Sequence, residues 1–213
     1  MNTSYNTYIF DLDGTLLDTL QDLATSTNFA LAKYGFPTRT IEEMRMFVGN
    51  GIGKMIELAI PHGLSNPRYE DVCSAFREHY LVHSLDTTKP YPHILEMLSA
   101  LSRRGKKLAV VSNKFYAATQ ELCRDFFGEY ISVAIGESEN IRRKPAPDTV
   151  EEALRQLGVT KTDAVYVGDS DVDIATARNT GLPCISVLWG FRDREFLLQH
   201  GAETFISSPL ELL

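Results

Sequence analysis

Short apolar runs rich in β-branched residues recur along the chain, and small or polar residues close each of them. Tyr8-Ile9-Phe10 stops at Asp11-Leu12-Asp13-Gly14-Thr15, Leu108-Ala109-Val110-Val111 at Ser112-Asn113-Lys114, and Ala164-Val165-Tyr166-Val167 at Gly168-Asp169-Ser170. Runs this short, without polar alternation, predict strands buried on both faces. Residues 131–135, 184–188 and 204–206 read as further short strands. Amphipathic spacing predicts helices over 94–103, 115–126, 148–157, 171–180 and 193–199, with Gly181 closing the fourth. Strand–helix alternation of this kind implies an α/β architecture, a Rossmann-like parallel sheet with helices on both faces.

The first strand breaks that rhythm, because a long helical stretch follows it instead of one crossover helix. Leu20, Leu23, Ala24, Phe29, Ala30 and Leu31 space a helix over 20–34 that Gly35-Phe36-Pro37 ends. Further helices are predicted over 40–47, 53–60 and 66–83, and Pro90-Tyr91-Pro92 returns the chain to the alternating pattern. The predicted organisation is a core of 1–17 plus 89–213 with an inserted α-helical cap domain of 18–88. Its hinges lie near 17–20 and 87–91.

Composition narrows the class of partner. The 213 residues are 44% hydrophobic and 23% charged, with a net charge of -7. That balance argues against nucleic-acid and anionic-membrane binding. Cys73, Cys123 and Cys184 are odd in number and lack disulfide or metal spacing, so reduced thiols are expected. Met1-Asn2-Thr3-Ser4-Tyr5-Asn6 carries neither a basic region nor an apolar leader core, and no apolar stretch approaches a membrane span. The expected location is cytoplasmic.

The strand ends carry the candidate chemistry. In extended chain, residues i and i+2 point the same way, so Asp11 and Asp13 face one small volume. Crowded carboxylates repel, which raises a pKa or recruits a cation. Open parallel sheets bind ligands outside the carboxyl ends of their strands. Ser112 and Asn113 supply donors there, Asp169 and Asp173 more carboxylates, and Arg142-Arg143-Lys144-Pro145 a cationic loop. The set suits a phosphoryl group held by a divalent metal. Bland readings compete: an Asx turn for Asp13, a helix N-cap for Ser112 or Asn113, dipole complementation for Asp171, solvated turns for Arg142 and Arg143, and an exposed helix lysine for Lys54. Trp189 and Arg192 are expected to pack or to meet another copy, and none of the five histidines shows ligand spacing. No Walker-type glycine loop is present.

Asp11-Leu12-Asp13-Gly14-Thr15, Ser112-Asn113, Lys144 and Gly168-Asp169-Ser170-x-x-Asp173 resemble, in order, the four motifs of the haloacid dehalogenase superfamily of phosphatases. Val48-Gly49-Asn50-Gly51, Ser112-Asn113-Lys114 and Trp189-Gly190-Phe191-Arg192 make the phosphoglycolate phosphatase group the most similar within it. The resemblance implies a core with a helical cap, Asp11 as nucleophile and Asp13 as general acid and base. It implies Mg2+ held by the Asp11 side chain, the Asp13 main-chain carbonyl and Asp169, with Asp173 an outer ligand. Ser112, Asn113 and Lys144 would hold the phosphoryl group, and Asn50 and Gly51 would meet the substrate from a cap loop. The implied activity is magnesium-dependent phosphomonoester hydrolysis through an aspartyl phosphate, with 2-phosphoglycolate leading. A pyrophosphatase, a sugar-phosphate phosphatase and a phosphoglucomutase-type phosphotransferase are the alternatives inside the superfamily. Gly168 stands where such mutases carry an acid, and Asp13 stands where dehalogenases lack one. A catalytically idle phosphate-binding regulator is the distant alternative. The expected partner is a small phosphorylated metabolite, for a monomer or homodimer.

Overall fold

The computed structural model describes residues 5–213; residues 1–4 of the stretch read above as lacking a leader lie outside them. Strand β1 (Thr7–Phe10) is followed by the short strand β2 (Leu17–Asp18). Then come helices α1 (Leu20–Lys33), α2 (Ile41–Phe47), α3 (Gly51–Ala59) and α4 (Tyr69–His83). Strand β3 (Lys89–Pro90) pairs with β2. Alternation then runs through α5 (Ile94–Arg103), β4 (Lys107–Phe115), α6 (Tyr116–Phe127), β5 (Val133–Glu137) and α7 (Asp148–Leu157). It ends with β6 (Ala164–Gly168), α8 (Asp171–Thr180), β7 (Cys184–Val187), α9 (Arg194–Gln199) and β8 (Phe205–Ile206). Two compact units result, one of residues 1–16 and 90–213, the other of residues 17–89. Each boundary falls one residue from the expected position.

The larger unit holds a parallel sheet in the order β5-β4-β1-β6-β7-β8. On one face Ile9, Ala109, Val111, Ile135 and Tyr166 pack under Val150, Ala153 and Leu154 of α7 and Ala177 of α8. The intervening residues Tyr8, Phe10, Leu108 and Val110 are buried as well, so the central strands are covered on both faces. That is why their sequences are apolar without alternation.

One strand departs from the expected pattern. β4 runs on through Ser112-Asn113-Lys114 to Phe115, with a register shift between Val111 and Phe115, and α6 begins at Tyr116. The apolar run ends at Val111, so hydropathy ends the strand there. Ser112, Asn113 and Lys114 are nevertheless buried, because each has polar partners in the site described below.

In the smaller unit α1 packs chiefly on α4, burying Leu23, Ala30 and Leu31 on one helix and Phe76 and Tyr80 on the other. Thr40 and Glu43 cap α2 reciprocally: Thr40 Oγ1 accepts from Glu43 N at 3.2 Å, and Thr40 N donates to Glu43 Oε2 at 2.8 Å. Tyr69 hydroxyl donates to the Gly53 carbonyl at 2.9 Å. No helix among the described residues is long and apolar enough to cross a membrane.

Asp22 ties the end of this unit to its beginning. Its buried carboxylate accepts from the backbone N–H and hydroxyl of both Thr87 and Thr88, at 2.6–3.0 Å. Burial alone would raise its pKa, but these donors outweigh it and hold the carboxyl below its ordinary value. Asp22→Ala is expected to cost about 2–4 kcal/mol, since hydrogen bonds to a charged group are the stronger class. A depressed folded pKa contributes stability above the unfolded value of about 4 and loses it as pH falls through the folded value. Urea unfolding should therefore separate wild type and variant at pH 7 and bring them together in acid.

Candidate active site

Phe10 pairs with Val110 on one side and Val167 on the other, so the residues that follow on the three strands lie side by side at the carboxyl edge of the sheet. Asp11 N donates to the Val167 carbonyl at 2.9 Å, which carries the β1 register one residue past the strand. Gly14, at φ +86°, then turns the chain back toward Leu16. A side chain on Gly14 would collide with the Asp169 carboxylate and the Phe191 ring. The glycine of this motif is thus fixed both by its backbone angle and by a close approach.

Asp11, Asp169 and Asp173 are all buried, and one oxygen from each lies within 4.8 Å of the others. Lys144 Nζ sits 2.8 Å from Asp11 Oδ1 and 2.8 Å from Asp173 Oδ1, and donates to the Tyr166 hydroxyl at 3.0 Å. That hydroxyl donates in turn to Asp173 Oδ1 at 2.9 Å. The second oxygen of Asp173 accepts from Ser170 Oγ at 2.6 Å, Ser170 N at 3.1 Å and Asp169 N at 3.2 Å. Both oxygens of Asp173 are therefore engaged by protein donors. Asp173 anchors Lys144 and closes the first turn of α8, where its charge also suits the helix dipole.

Three carboxylates crowd a buried volume in which Lys144 touches two of them. Burial, then the neighbouring Asp173 charge, push the Asp169 carboxyl up to about 7. Asp11 is raised well above the carboxylate range, by burial first and by Asp173 next, with Lys144 only partly offsetting them. Asp173 goes the other way: burial works against its charge, but Lys144, Ser170 and Tyr166 more than compensate. Lys144 is held firmly protonated, since Asp11 and Asp173 outweigh the cost of burying it. An all-oxygen donor set in which Asp11 and Asp169 resist ionisation until a cation arrives fits a hard divalent ion such as magnesium.

Asp13 does not join this cluster. Its carboxylate turns to Lys114, whose Nζ lies 3.0 Å from Oδ1 and 3.3 Å from Oδ2. Asn113 Nδ2 donates to the Lys144 carbonyl at 3.1 Å, fixing the loop that carries the lysine, and Ser112 Oγ accepts from Lys114 N at 3.1 Å. Ser112 and Asn113 are thus strand residues at the edge of the site rather than helix caps.

The segment after β7 is part of the site. Phe191 N donates to Asp169 Oδ2 at 2.7 Å, and Thr15 Oγ1 donates to Asp169 Oδ1 at 3.2 Å. Gly190 has no room for a side chain against Asp169 and the Gly14 carbonyl. Trp189 Nε1 donates to the Thr15 carbonyl at 2.9 Å. Trp189-Gly190-Phe191 is therefore a cradle for Asp169, a role that hydropathy hides. Tyr166, Ser170 and Lys114 are the other site residues that sequence reasoning left without a role. Only Ser170 carried a local signal, the Ser-x-x-Asp spacing before a helix.

The remaining candidates belong to other elements. Asn50 and Gly51 belong to the smaller unit, at the start of α3, with Gly51 at φ +78°. Lys54 pairs with Glu57 at 2.7 Å on a partly exposed helix face. Arg142 pairs with Asp148 at 2.8 Å and Arg143 lies 4.0 Å from Glu137, both arginines being solvated.

Residues 8–187 match the family described as haloacid dehalogenase-like hydrolase. A phosphoglycolate phosphatase of Aquifex aeolicus is 33% identical over 86% of this chain and 84% of its own length. One from Xylella fastidiosa (strain Temecula1) is 33% identical over 98% and 91%. An N-acetylmuramic acid 6-phosphate phosphatase of Pseudomonas aeruginosa is 30% identical over 96% and 92%. The crystal structure of a proposed phosphoglycolate phosphatase from Lactobacillus delbrueckii subsp. bulgaricus superposes with a TM-score of 0.94, at 36% identity, covering 98% of this chain and 97% of that one.

Proposed function

The chain belongs to the haloacid dehalogenase-like hydrolase family and is a phosphatase, and from that premise we propose that it is a magnesium-dependent phosphomonoesterase working through an aspartyl phosphate on Asp11, with 2-phosphoglycolate its first substrate. The observation that carries the reading is the buried Asp11–Asp169–Asp173 cluster with the Lys144 ammonium against two of its members. Magnesium, bound by Asp11, Asp169 and the Asp13 main-chain carbonyl, would polarise the phosphoryl group and offset its charge.

The chain's own groups divide the rest of the work. Leu12 N and Lys144 Nζ both contact Asp11 Oδ1, at 2.6 and 2.8 Å, which orients the carboxylate and supports Oδ2 as the attacking oxygen. As Oδ2 bonds to phosphorus, the bond from phosphorus to the leaving oxygen breaks, and Asp13 gives that oxygen its proton. Asp13, now a carboxylate, takes a proton from the water that attacks the aspartyl phosphate. Phosphate departs and both aspartates return to their starting state. Lys144 offsets charge on the nucleophile and the phosphoryl oxygens, while Ser112 and Asn113 supply donors at the strand end. Asp173 acts through Lys144.

Phosphate release from 2-phosphoglycolate, pyrophosphate, sugar 6-phosphates and nucleotides, with magnesium and with chelator, tests this reading. Magnesium-dependent turnover that is fastest on 2-phosphoglycolate is the expected result. A sugar 6-phosphate in first place would keep the chemistry and move the substrate toward that of the muramic acid relative. No turnover on any of them would reject the phosphatase reading.

A further inference from the structure

We infer that Lys114 is a positioning residue for Asp13, one that aims its carboxyl group at the leaving oxygen; the inference rests on the phosphatase reading above. Lys114 is buried in a strand where its neighbours Ser112 and Asn113 are also buried. Its side chain is 4% exposed and that of Asp13 is 16% exposed. The ammonium contacts both oxygens of Asp13, at 3.0 and 3.3 Å, so it fixes the rotation of the carboxyl group and not merely its location.

The strand geometry explains why a lysine stands here. The loop from Asp11 to Gly14 turns sharply, and Leu12 N is spent on Asp11 Oδ1. The Asp13 side chain needs a partner from another element, and β4, the neighbour of β1, supplies it. Ser112 Oγ in turn accepts from Lys114 N at 3.1 Å, so one short segment orders both a candidate phosphoryl donor and the holder of the acid. The proton Asp13 delivers to the leaving oxygen, as the phosphorus–oxygen bond breaks, is useful only when the carboxyl group is aimed within a few tenths of an ångström. Lys114 takes no proton and gives none.

Leaving groups separate this role from a structural one. A p-nitrophenolate leaves without a proton, whereas an alkoxide needs one. In single turnover with magnesium, Lys114→Met should slow alcohol release from alkyl phosphates by about 100-fold, at the low end of what positioned acid catalysis supplies. First-turnover release of p-nitrophenol should change by less than about threefold on the same argument. Lys114→Arg should recover part of the loss. On an Asp13→Asn background Lys114→Met should add little, because its effect passes through Asp13.

Equal losses on both leaving groups, or full additivity with Asp13→Asn, would overturn the inference. A loss confined to carboxylate-bearing leaving groups would overturn it too and make Lys114 a substrate ligand. If Lys114→Met does not fold, Lys114→Gln and Lys114→Arg carry the same comparison. Each of these failures leaves the phosphatase reading standing, since wild-type turnover is measured alongside. Absence of wild-type turnover rejects that reading and the inference with it.

Discussion

Asp11→Asn should abolish turnover while leaving the protein at least as stable as wild type. Loss of a covalent nucleophile is expected to lower kcat by at least about 10^4-fold. Asparagine keeps the shape of the side chain, and its carbonyl oxygen can still accept from Leu12 N, as Asp11 Oδ1 does at 2.6 Å. What it removes is a charge that burial disfavours first and Asp173 next. A carboxyl whose folded pKa is raised costs stability at pH above its unfolded value near 4 and costs nothing below it. Without metal, the variant should therefore melt at the same or a higher temperature than wild type at pH 7, and the two should converge near pH 4. Acid quenching during turnover of a labelled phosphomonoester should trap labelled wild-type protein and no labelled variant. Retained turnover, or label on the variant, would remove Asp11 from the nucleophile's role. A stability gain beside a complete loss of activity is the mark of a group kept for chemistry at the expense of the fold.

The parts of the molecule legible in the sequence are those where local pattern and tertiary demand agree. Ile9, Val110 and Val167 lie in strands buried on both faces, so hydropathy alone finds them. Asp11, Asp169 and Lys144 sit where apolar runs stop or a basic loop meets prolines, and the structure gathers them at one sheet edge. Agreement fails where polar residues are buried by long-range partners. Lys114 looks like a loop lysine until Asp13, 101 residues earlier, is brought to 3.0 Å. Tyr166 reads as one more strand aromatic until Lys144 and Asp173 meet its hydroxyl. Trp189-Gly190-Phe191 reads as packing because its contribution to Asp169 is a backbone N–H and an absent side chain, neither of which residue type advertises. Asp173 lies in the carboxylate cluster with Asp11 and Asp169, and its contacts to Lys144 and Tyr166 come from separate elements that no local pattern connects.

Lys144→Met should damage stability and activity together, and magnesium should separate the two. In wild type the Lys144 ammonium lies in direct contact with the buried cluster, at 2.8 Å from both Asp11 and Asp173. Removing one partner from a buried ion pair costs about 3–5 kcal/mol, because the other is left charged and unpaired. Here two carboxylates lose their ammonium at once. The cost should follow their ionisation. Asp173 is held below its ordinary pKa, against burial, chiefly by Lys144, so it stabilises wild type above pH 4 and ceases to in strong acid. The melting temperatures of wild type and variant should thus differ most at neutral pH and draw together as the carboxylates protonate. A divalent cation replaces lost positive charge at the same carboxylates. Magnesium should therefore raise the melting temperature of Lys144→Met more than that of wild type, by mass action on a site whose negative charge is no longer shared with an ammonium. It should not restore turnover, which is expected to fall about 10^3-fold, because on the proposed mechanism a metal ion bound by the carboxylates would not also stand where the ammonium would meet the phosphoryl oxygens. Equal magnesium shifts in both proteins would mean that the cluster is not where the ion binds. Recovery of turnover with magnesium would mean that Lys144 balances charge for the fold alone.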